Sequence, residues 1–257
     1  MRRYIDVNCF MGIPPAPHIR SFISAEELMD EMDDAGIDRA FVSHFAAQRR
    51  YPDGNYELMR AIEKCSRLMP CWLAYPAVFH DGSACRDFIS GMKSEGVRMA
   101  RVQPGSINGY SMHRWAMREF VEGLVEIGAV LCVDLLEEQG LSHKAVPLCE
   151  WENLYQFASA CASLPIILTG RKLSVSKVQV MGLLKSCGNV MLDISSFQTW
   201  RSTETVSLNP GASQMVFGSA MPYFDAAQFI VQVEKAMIPE SDKQKIASGN
   251  ISAILDV

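Results

Sequence analysis

Residues 24–43 read SAEELMDEMDDAGIDRAFVS, a helix-forming stretch followed directly by a strand-forming one. Ser24 is a favourable N-cap, and Glu27 three residues later completes a capping box. Gly36 stands where the helix must end, because glycine tolerates the left-handed backbone that closes a helix. The strand-like residues 40–46, AFVSHFA, begin only a few residues later. This helix–glycine–strand unit is typical of a parallel sheet covered by helices.

The same unit recurs along the whole chain. Three more helical stretches end at a glycine just before a strand, at Gly96, Gly128 and Gly188, and we expect a left-handed C-cap at each. Eight β-like runs alternate with amphipathic stretches; they cover residues 3–10, 40–46, 71–79, 97–103, 129–136, 165–169, 190–196 and 214–219. This pattern predicts an α/β protein with one (β/α)8 TIM-barrel domain over residues 1–257.

Composition and charge exclude several classes of protein. The chain has 257 residues, of which 49% are hydrophobic and 21% charged, which is ordinary for a globular domain and too apolar for disorder. The formal net charge is -5 without a basic block, so we expect neither nucleic acid nor a membrane surface as a partner. No apolar stretch reaches the length of a transmembrane helix.

The eight cysteines are expected to be reduced thiols. A chain of this length needs no disulfides to build a core, and the opening MRRYIDVNCF reads as a strand rather than as a secretory signal. Cys65 and Cys71 form a close pair without a second pair elsewhere, which argues against a zinc cluster. These features predict a cytoplasmic protein.

Long loops are predicted over residues 12–18 and 137–150, after the first and fifth strands. Both would lie at the C-terminal mouth of the barrel, where active sites form. The last amphipathic segment, residues 240–255, is expected to pack across the outside.

Side chains alternate between the two faces of a strand, so the polar set identifies the barrel interior. In the first strand Ile5, Val7 and Cys9 are expected to face the helices, which turns Asp6, Asn8 and Phe10 inward. Parity also places Cys132 on the helix side. At the end of the second strand, parity does not decide between Ser43 and His44.

Later strands extend this inward polar set. The candidate mouth cluster comprises Asn8, Arg101, Gln103, Asp134, Asp193 and Ser195. A guanidinium can bind a carboxylate at two points, and an aspartate can act as acid or base, so the catalytic candidates are Arg101, Asp134 and Asp193. The alternative is structural: Arg101 neutralises an interior aspartate, because a buried charge needs a partner, and Asp193 is held by Ser195.

Several motifs together resemble the amidohydrolase superfamily, a family of metal-dependent hydrolase-like barrels. Residues 5–12, IDVNCFMG, resemble its opening I-D-x-H-x-H-x-G, and residues 215–222, MVFGSAMP, resemble its F-G-S-D-x-P ending of the eighth strand. The stretches GVRMARVQPG, LPIILTG and NVMLDISS are similar to its fourth, sixth and seventh strands, and IASGNISAIL to its terminal helix. The resemblance covers nearly the whole chain.

The resemblance implies a metal site that this chain departs from. In the family, two histidines of the first strand, one each from the fifth and sixth, and an aspartate from the eighth surround a metal, which lowers the pKa of a bound water. The corresponding positions here are Asn8, Phe10, Asp134 or Val133, Gly170 and Ala220. The predicted cofactor is therefore none, and the predicted set of metal ligands is empty. His18, His80, His113 and His143 are expected in loops or at helix starts.

Two functions follow. The first is a metal-independent enzyme acting on a small organic acid, ring or lactone, with Arg101 binding a carboxylate and Asp134 or Asp193 moving protons. Arg171 and Lys172 would add anion affinity or form a solvated pair. Its pocket would be lined by Asn8, Phe10, His44, Gln103, Gly170, Ser195 and Ala220.

The second function is non-catalytic: a barrel retained to bind a ligand or a protein partner. A mouth closed by phenylalanine would favour this interpretation, whereas an open pocket with Arg101 and a carboxylate converging on it would favour an enzyme. Barrels of this family commonly form dimers, so a homodimer is also expected.

Overall fold

The computed structural model describes residues 2–14, 20–105, 110–135, 137–139, 145–147, 151–170 and 177–257. Ten strands lie in this part of the chain: β1 Tyr4–Met11, β2 Ile37–His44, β3 Leu68–Leu73, β4 Met99–Val102, β5 Val130–Asp134, β6 Glu137–Gln139, β7 Ala145–Pro147, β8 Ile166–Thr169, β9 Val190–Asp193 and β10 Met215–Val216. Eight of them form one sheet in the order β1-β2-β3-β4-β5-β8-β9-β10, and every neighbouring pair is parallel.

The sheet closes on itself between β10 and β1. The Val7 amide donates to the Phe217 carbonyl at 3.0 Å, and the Phe10 amide donates to the Met221 carbonyl at 2.9 Å. Eight parallel strands joined in this way make a TIM barrel, which confirms the predicted fold class.

Helices cover the outside of the barrel. They are α1 Ala25–Ala35, α2 Asp53–Ile62, α3 Ala77–His80, α4 Gly82–Ser94, α5 Arg118–Glu126, α6 Trp151–Ala160, α7 Lys177–Ser186, α8 Ser202–Val206, α9 Ala226–Lys235, α10 Glu240–Gln244 and α11 Asn250–Leu255. Short 3-10 turns lie at Phe45–Gln48 and Ala212–Gln214, and wide π turns at Ser207–Gly211 and Lys245–Gly249. None of the helices in the described ranges is long and apolar enough to cross a membrane.

The helix ends largely match the sequence. The Ser24 hydroxyl accepts from the Glu27 amide at 3.2 Å, and the Glu27 carboxylate accepts from the Ile23 amide, one residue before the cap. Gly36, Gly96 and Gly128 have φ of 80°, 68° and 63°. The predicted left-handed C-cap at Gly188 was wrong, because the φ angle of Gly188 is not positive. There α7 ends at Ser186 and a Val190 amide bond to the Cys187 carbonyl closes the turn, so no left-handed residue is needed.

Three predicted element bounds were wrong. The run 71–79 contains the end of β3 followed by the short helix α3, because Pro76 adopts helical dihedral angles. The strand in the last run is only Met215–Val216. Part of the predicted loop 137–150 is an antiparallel hairpin, with β6 paired to β7.

Apolar side chains fill the part of the barrel interior that lies below the carboxyl ends of the strands, and this cluster is called the apolar plug. Every strand of the barrel contributes to it: Ile5, Val7, Phe41, Cys71, Met99, Val130, Cys132, Ile167, Met191 and Val216. Ile251 and Leu255 of the last helix join the same cluster. The prediction that residues 240–255 pack across the outside therefore holds for Ile246 and Ala247, which lie in the helix-side cluster, and is wrong for Ile251 and Leu255.

The first strand corrects another prediction. Ile5 and Val7 lie in the interior cluster, whereas Cys9 packs on the helix side as predicted. Register shifts occur between Tyr4 and Ile5 and between Asp6 and Cys9, and such an irregularity changes which face the following side chains take. Cys132 also lies inside rather than on the helix side.

The cysteines agree with the expectation of reduced thiols. Seven cysteines fall in the described ranges, and each is a free thiol. Six of them are buried, where a thiol behaves as a small apolar group.

Candidate functional site

A buried polar layer lies above the apolar plug, at the carboxyl ends of the strands. It contains Asn8, Arg101, Asp134, Thr169 and Asp193, from β1, β4, β5, β8 and β9, and each is at most 3% exposed. The mouth of a TIM barrel is where such side chains form active sites.

Arg101 is the central cation of this layer, and it is fully buried. Its Nη1 donates to Asp134 Oδ1 at 2.6 Å and to Asn8 Oδ1 at 3.0 Å, with a longer contact to Thr169 Oγ1 at 3.4 Å. Its Nη2 donates to the Val7 carbonyl at 3.3 Å. Both terminal nitrogens of the guanidinium therefore donate hydrogen bonds to other groups of the protein.

Aromatic rings cover this guanidinium. The Phe10 ring centroid is 4.7 Å from Arg101 Cζ, close enough for a cation–π interaction. Phe10 stacks in turn on Phe45, with centroids 5.1 Å apart and ring planes at 18°. Arg101 Nε is buried and has no hydrogen-bond partner among the described residues, which is costly in an interior.

Both oxygens of Asp134 face protein donors. Oδ1 accepts from Arg101 and from the Thr169 hydroxyl, and Oδ2 accepts from Gln103 Nε2 at 2.9 Å. Sequence reasoning missed Thr169, although it lies two residues after the inward Ile167 and shares its parity.

Asp193 is the second buried carboxylate of the layer. Asn8 Nδ2 donates to its Oδ2 at 2.9 Å, the Ser195 hydroxyl at 2.7 Å and the Ser196 hydroxyl at 3.2 Å. The Ser195 amide donates to Oδ1 at 2.9 Å. The predicted bond between Asp193 and Ser195 is present, and Ser196 is a partner that parity did not identify.

Gly218 makes room for Asp193. A Cβ atom added to Gly218 would lie 2.3 Å from Asp193 Oδ1, closer than two unbonded atoms can approach. This close approach is a second feature that sequence reasoning missed, and a glycine two residues after the short strand β10 is its only signal in the sequence.

The environment changes the acidity of Asp193. Burial raises its pKa from 3.8 to about 6, while its hydrogen bonds to Ser195 and Asn8 oppose that rise. Asp6 adds a smaller repulsion in the same direction. A carboxyl group with this pKa exchanges its proton close to neutral pH.

This shift predicts a pH-dependent stability that Asp193→Asn removes. Because the folded pKa is raised, the stabilising contribution is full below about pH 4 and is lost as the pH rises through about 6. A difference of about two units at about 1.4 kcal/mol each makes the change about 3 kcal/mol.

Urea unfolding of both proteins between pH 4 and 7.5 checks this prediction. We expect the stability difference, wild type minus Asp193→Asn, to fall across this range, on top of a constant offset from altered hydrogen bonds. Parallel pH profiles for the two proteins would contradict the raised pKa.

Asp6 is anchored separately from these two carboxylates. It accepts from the Asn8 amide at 2.8 Å, from the Ser219 amide at 3.0 Å and from the Ser219 hydroxyl. These bonds join β1 to the segment after β10. Burial raises the pKa of Asp6 as well.

A small cavity lies between the described residues of the mouth. A cavity of about 10 Å³ is lined by Asn8, Phe10, Gln48, Gln103, Asp134, Gly170, Ala220 and Tyr223, which is about the room that one water molecule needs. Five of the seven predicted pocket residues lie there, together with Asp134. Arg101 and Asp193 lie beneath the cavity rather than on its wall.

His44 and Ser195 are predicted pocket residues that do not line this cavity. Ser195 is bound to Asp193, as described above. His44 Nδ1 accepts from the Ala46 amide at 3.1 Å and starts a 3-10 turn, and its ring packs against Gly12. Ser43 shares the inward parity of Phe41 and donates to the Cys71 carbonyl at 2.9 Å, which settles the alternative that parity left open.

Several predicted residues lie outside the described part of the chain: His18, His143, Arg171 and Lys172. His80 ends the short helix α3. The His113 ring stacks on Trp115, with centroids 5.4 Å apart. Neither histidine belongs to the mouth cluster.

The positions that the family resemblance assigns to metal ligands can be compared with the structure. Asn8 Oδ1 and both Asp134 oxygens already accept hydrogen bonds, and Gly170 and Ala220 offer no side-chain ligand. Within the ranges above, no group of three or more histidine, cysteine, aspartate or glutamate residues is placed to hold a metal ion.

Solved structures share this fold. A 2,6-dihydroxybenzoate decarboxylase from Rhizobium is 16% identical, with a TM-score of 0.71 over 100% of this chain and 99% of its own. A dihydroxybenzoic acid decarboxylase from a Polaromonas species, with bound manganese and 2-nitroresorcinol, is 15% identical, with a TM-score of 0.71 over 100% and 97%. A putative amidohydrolase from Staphylococcus aureus is 12% identical, with a TM-score of 0.75 over 99% and 100%.

Sequence comparison adds nothing to this likeness, because neither a family model nor a curated protein matches the chain. At these identities the structural likeness shows the fold and leaves function to the site.

Proposed function

We propose that this chain is a degenerate barrel of the amidohydrolase type, in which a network centred on Arg101 stands in place of the catalytic metal. The observation that carries the proposal is the state of Asp134. Its Oδ1 accepts from Arg101 and Thr169 and its Oδ2 accepts from Gln103, so protein groups surround the carboxylate and a guanidinium, rather than an ion, is its cation.

Charge balance supports the same proposal. In a metal site, carboxylates are balanced by a bound cation. Here the guanidinium of Arg101 supplies that positive charge within the protein, at 2.6 Å from Asp134. Asp134 is one of the two residues, with Val133, that the family resemblance aligns with a fifth-strand ligand, and Asn8 holds a first-strand position.

The cover over Arg101 favours a non-catalytic role. Phe10 lies over Arg101, and the cavity of about 10 Å³ between the described mouth residues is far smaller than the roughly 300–1,000 Å³ of ordinary ligand pockets. We infer that the described mouth residues hold the barrel together rather than surround a substrate. A partner or a ligand would then bind elsewhere on the barrel.

A second candidate is a metal-independent enzyme acting on a small organic acid, ring or lactone. The raised pKa of Asp193, to about 6, favours it, because a general acid or base works best with a pKa near the working pH. Arg101 would have to be uncovered before it could bind a carboxylate, since it is 0% exposed. We also propose that the protein binds a carboxylate-bearing ligand and that it forms a homodimer.

A decarboxylation assay tests both candidates. We expect no turnover of 2,6-dihydroxybenzoate above background, with or without added manganese, while a manganese-dependent decarboxylase assayed in parallel is active. Manganese-stimulated turnover would contradict the proposal outright. Turnover that does not depend on manganese but disappears in Asp193→Asn would favour the second candidate.

A further inference from the structure

A larger groove lies outside the barrel interior and is separate from the mouth cavity. It has a volume of about 400 Å³ and runs between the segment after β9 and the helix α9; its lining is Gln198, Thr199, Arg201, Ser202, Thr203, Glu204, Gln228, Phe229, Gln232, Lys235 and Ala236. None of these residues lines the cavity at the mouth. The volume is within the range of small-molecule sites.

The groove has a buried floor and an exposed, charged rim. Ser202, Thr203, Phe229 and Ala236 are buried. Arg201 and Lys235 are exposed at the rim, and within the described ranges neither forms an ion pair with a carboxylate. Two cations without counter-ions beside a concave floor are suited to an anion.

Arg201 is held in place before any ligand binds. Its backbone is left-handed, with φ 51° and ψ 40°, which is uncommon and strained for a residue other than glycine. Its guanidinium carbon lies 5.1 Å from the Trp200 ring centroid, and its Nη2 contacts Met237 Sδ at 3.6 Å. A cation fixed in this way loses little side-chain entropy when it binds an anion.

The lining also contains one carboxylate, Glu204, whose Oε1 accepts from the Met237 amide at 3.3 Å, and its other polar residues are neutral hydrogen-bonding groups. Amides come from Gln198, Gln228 and Gln232, and hydroxyls from Thr199, Ser202 and Thr203. Gln232 Nε2 donates to Thr203 Oγ1 at 2.9 Å, which orients its carbonyl oxygen. Amides and hydroxyls of this kind suit the hydroxyl groups of a ligand.

We propose that this groove binds a small hydroxylated anion, with its carboxylate or phosphate between Arg201 and Lys235 and its hydroxyls on the amide-lined wall. The site is independent of the mouth network and of the function proposed for it. Carboxylate and phosphate share the chemistry that a guanidinium recognises, so both are tested.

Isothermal titration with ribose 5-phosphate and with gluconate tests the site on the full chain. We expect saturable binding of at least one of the two near or below about 1 mM, weaker at higher salt. Arg201→Ala and Lys235→Ala should each weaken it about tenfold, the loss typical of one charge-assisted bond. The matched control is Lys64→Ala, another exposed lysine that forms no ion pair within the described part of the chain, and it should leave binding unchanged.

The outcomes are separable. Binding of only one probe supports the site and identifies its anion, and binding of both supports the shared chemistry. Neutral ribose binding as tightly as the anions, or inorganic phosphate binding as tightly as ribose 5-phosphate, overturns the proposed recognition. Absence of binding, or binding that survives both substitutions, overturns the site itself. Circular dichroism of each variant shows whether it is folded.

Discussion

Replacing Arg101 with methionine is expected to destabilise the protein by about 3–5 kcal/mol. The substitution leaves the buried Asp134 carboxylate, at 2.6 Å from the lost guanidinium, with only Gln103 and Thr169 as partners. Removing one member of a buried ion pair strands the other charge in a low-dielectric interior, which is costlier than losing the pair's attraction. For a chain of this size the loss corresponds to a fall in Tm of about 6–20 °C.

Urea unfolding of Arg101→Met checks this value. Arg98→Met is the matched control, because Arg98 precedes the same strand but is exposed, and we expect it to change stability by less than about 1 kcal/mol. The double variant Arg101→Met, Asp134→Leu should recover most of the loss, since an apolar replacement of a buried pair is often neutral. A single variant as stable as the wild type would contradict a structural role for Arg101.

Phe10→Ala is expected to have the second large effect, a loss of about 3–5 kcal/mol. The ring is only 5% exposed, and its removal takes away the stack on Phe45 and the cover over Arg101. The substitution also opens a cavity at the mouth, beside Asn8 and Asp134.

Two measurements check this second prediction. Urea unfolding should show the loss for Phe10→Ala and a smaller one for Phe10→Leu, which refills part of the space. Benzene should raise the Tm of Phe10→Ala but not that of the wild type, because it can replace the lost ring between Phe45 and the Arg101 guanidinium, and binding stabilises the folded state. If benzene stabilises both proteins equally, Phe10 does not close the mouth.

The barrel itself was predictable from the chain. The alternation of strand and helix signals, together with the glycine C-caps at Gly36, Gly96 and Gly128, identifies a local unit that repeats around the whole molecule. Such signals are local, so they can be recognised in the sequence without knowledge of tertiary contacts. Gly188 failed because backbone bonds within its own turn made a left-handed residue unnecessary.

The face of the strand on which each side chain lies was harder to predict than the barrel itself. Strict alternation placed Ile5 and Val7 on the helix side, yet the irregular register of β1 turns them inward and still brings Asn8 and Phe10 to the mouth. A bulge depends on how two strands pair and leaves no clear mark in one strand's sequence. The inward position of Ile251 and Leu255 depends likewise on the shape of the closed barrel.

The sequence identified many of the residues that meet at the mouth but not the bonds between them, and a functional role for these residues stays a prediction. Asn8, Gln103 and Asp134 line the mouth, and Arg101 pairs with Asp134, which is one of the two interpretations that the sequence left open. Which aspartate takes the cation depends on distances of a few ångströms between different strands. Thr169, Ser196 and Gly218 entered the network for the same reason, since their roles exist only once β8, β9 and β10 lie side by side.

Metal content measured by plasma mass spectrometry, on protein purified without chelators or nickel affinity resin, tests the central claim most directly. Because Asp134 and Asn8 are already bound by Arg101, we predict much less than one equivalent of zinc, manganese or iron per chain, before and after incubation with each metal and desalting. About one equivalent of any of them, retained through desalting and lost in Asp134→Asn, would contradict the account and return the mouth to metal chemistry.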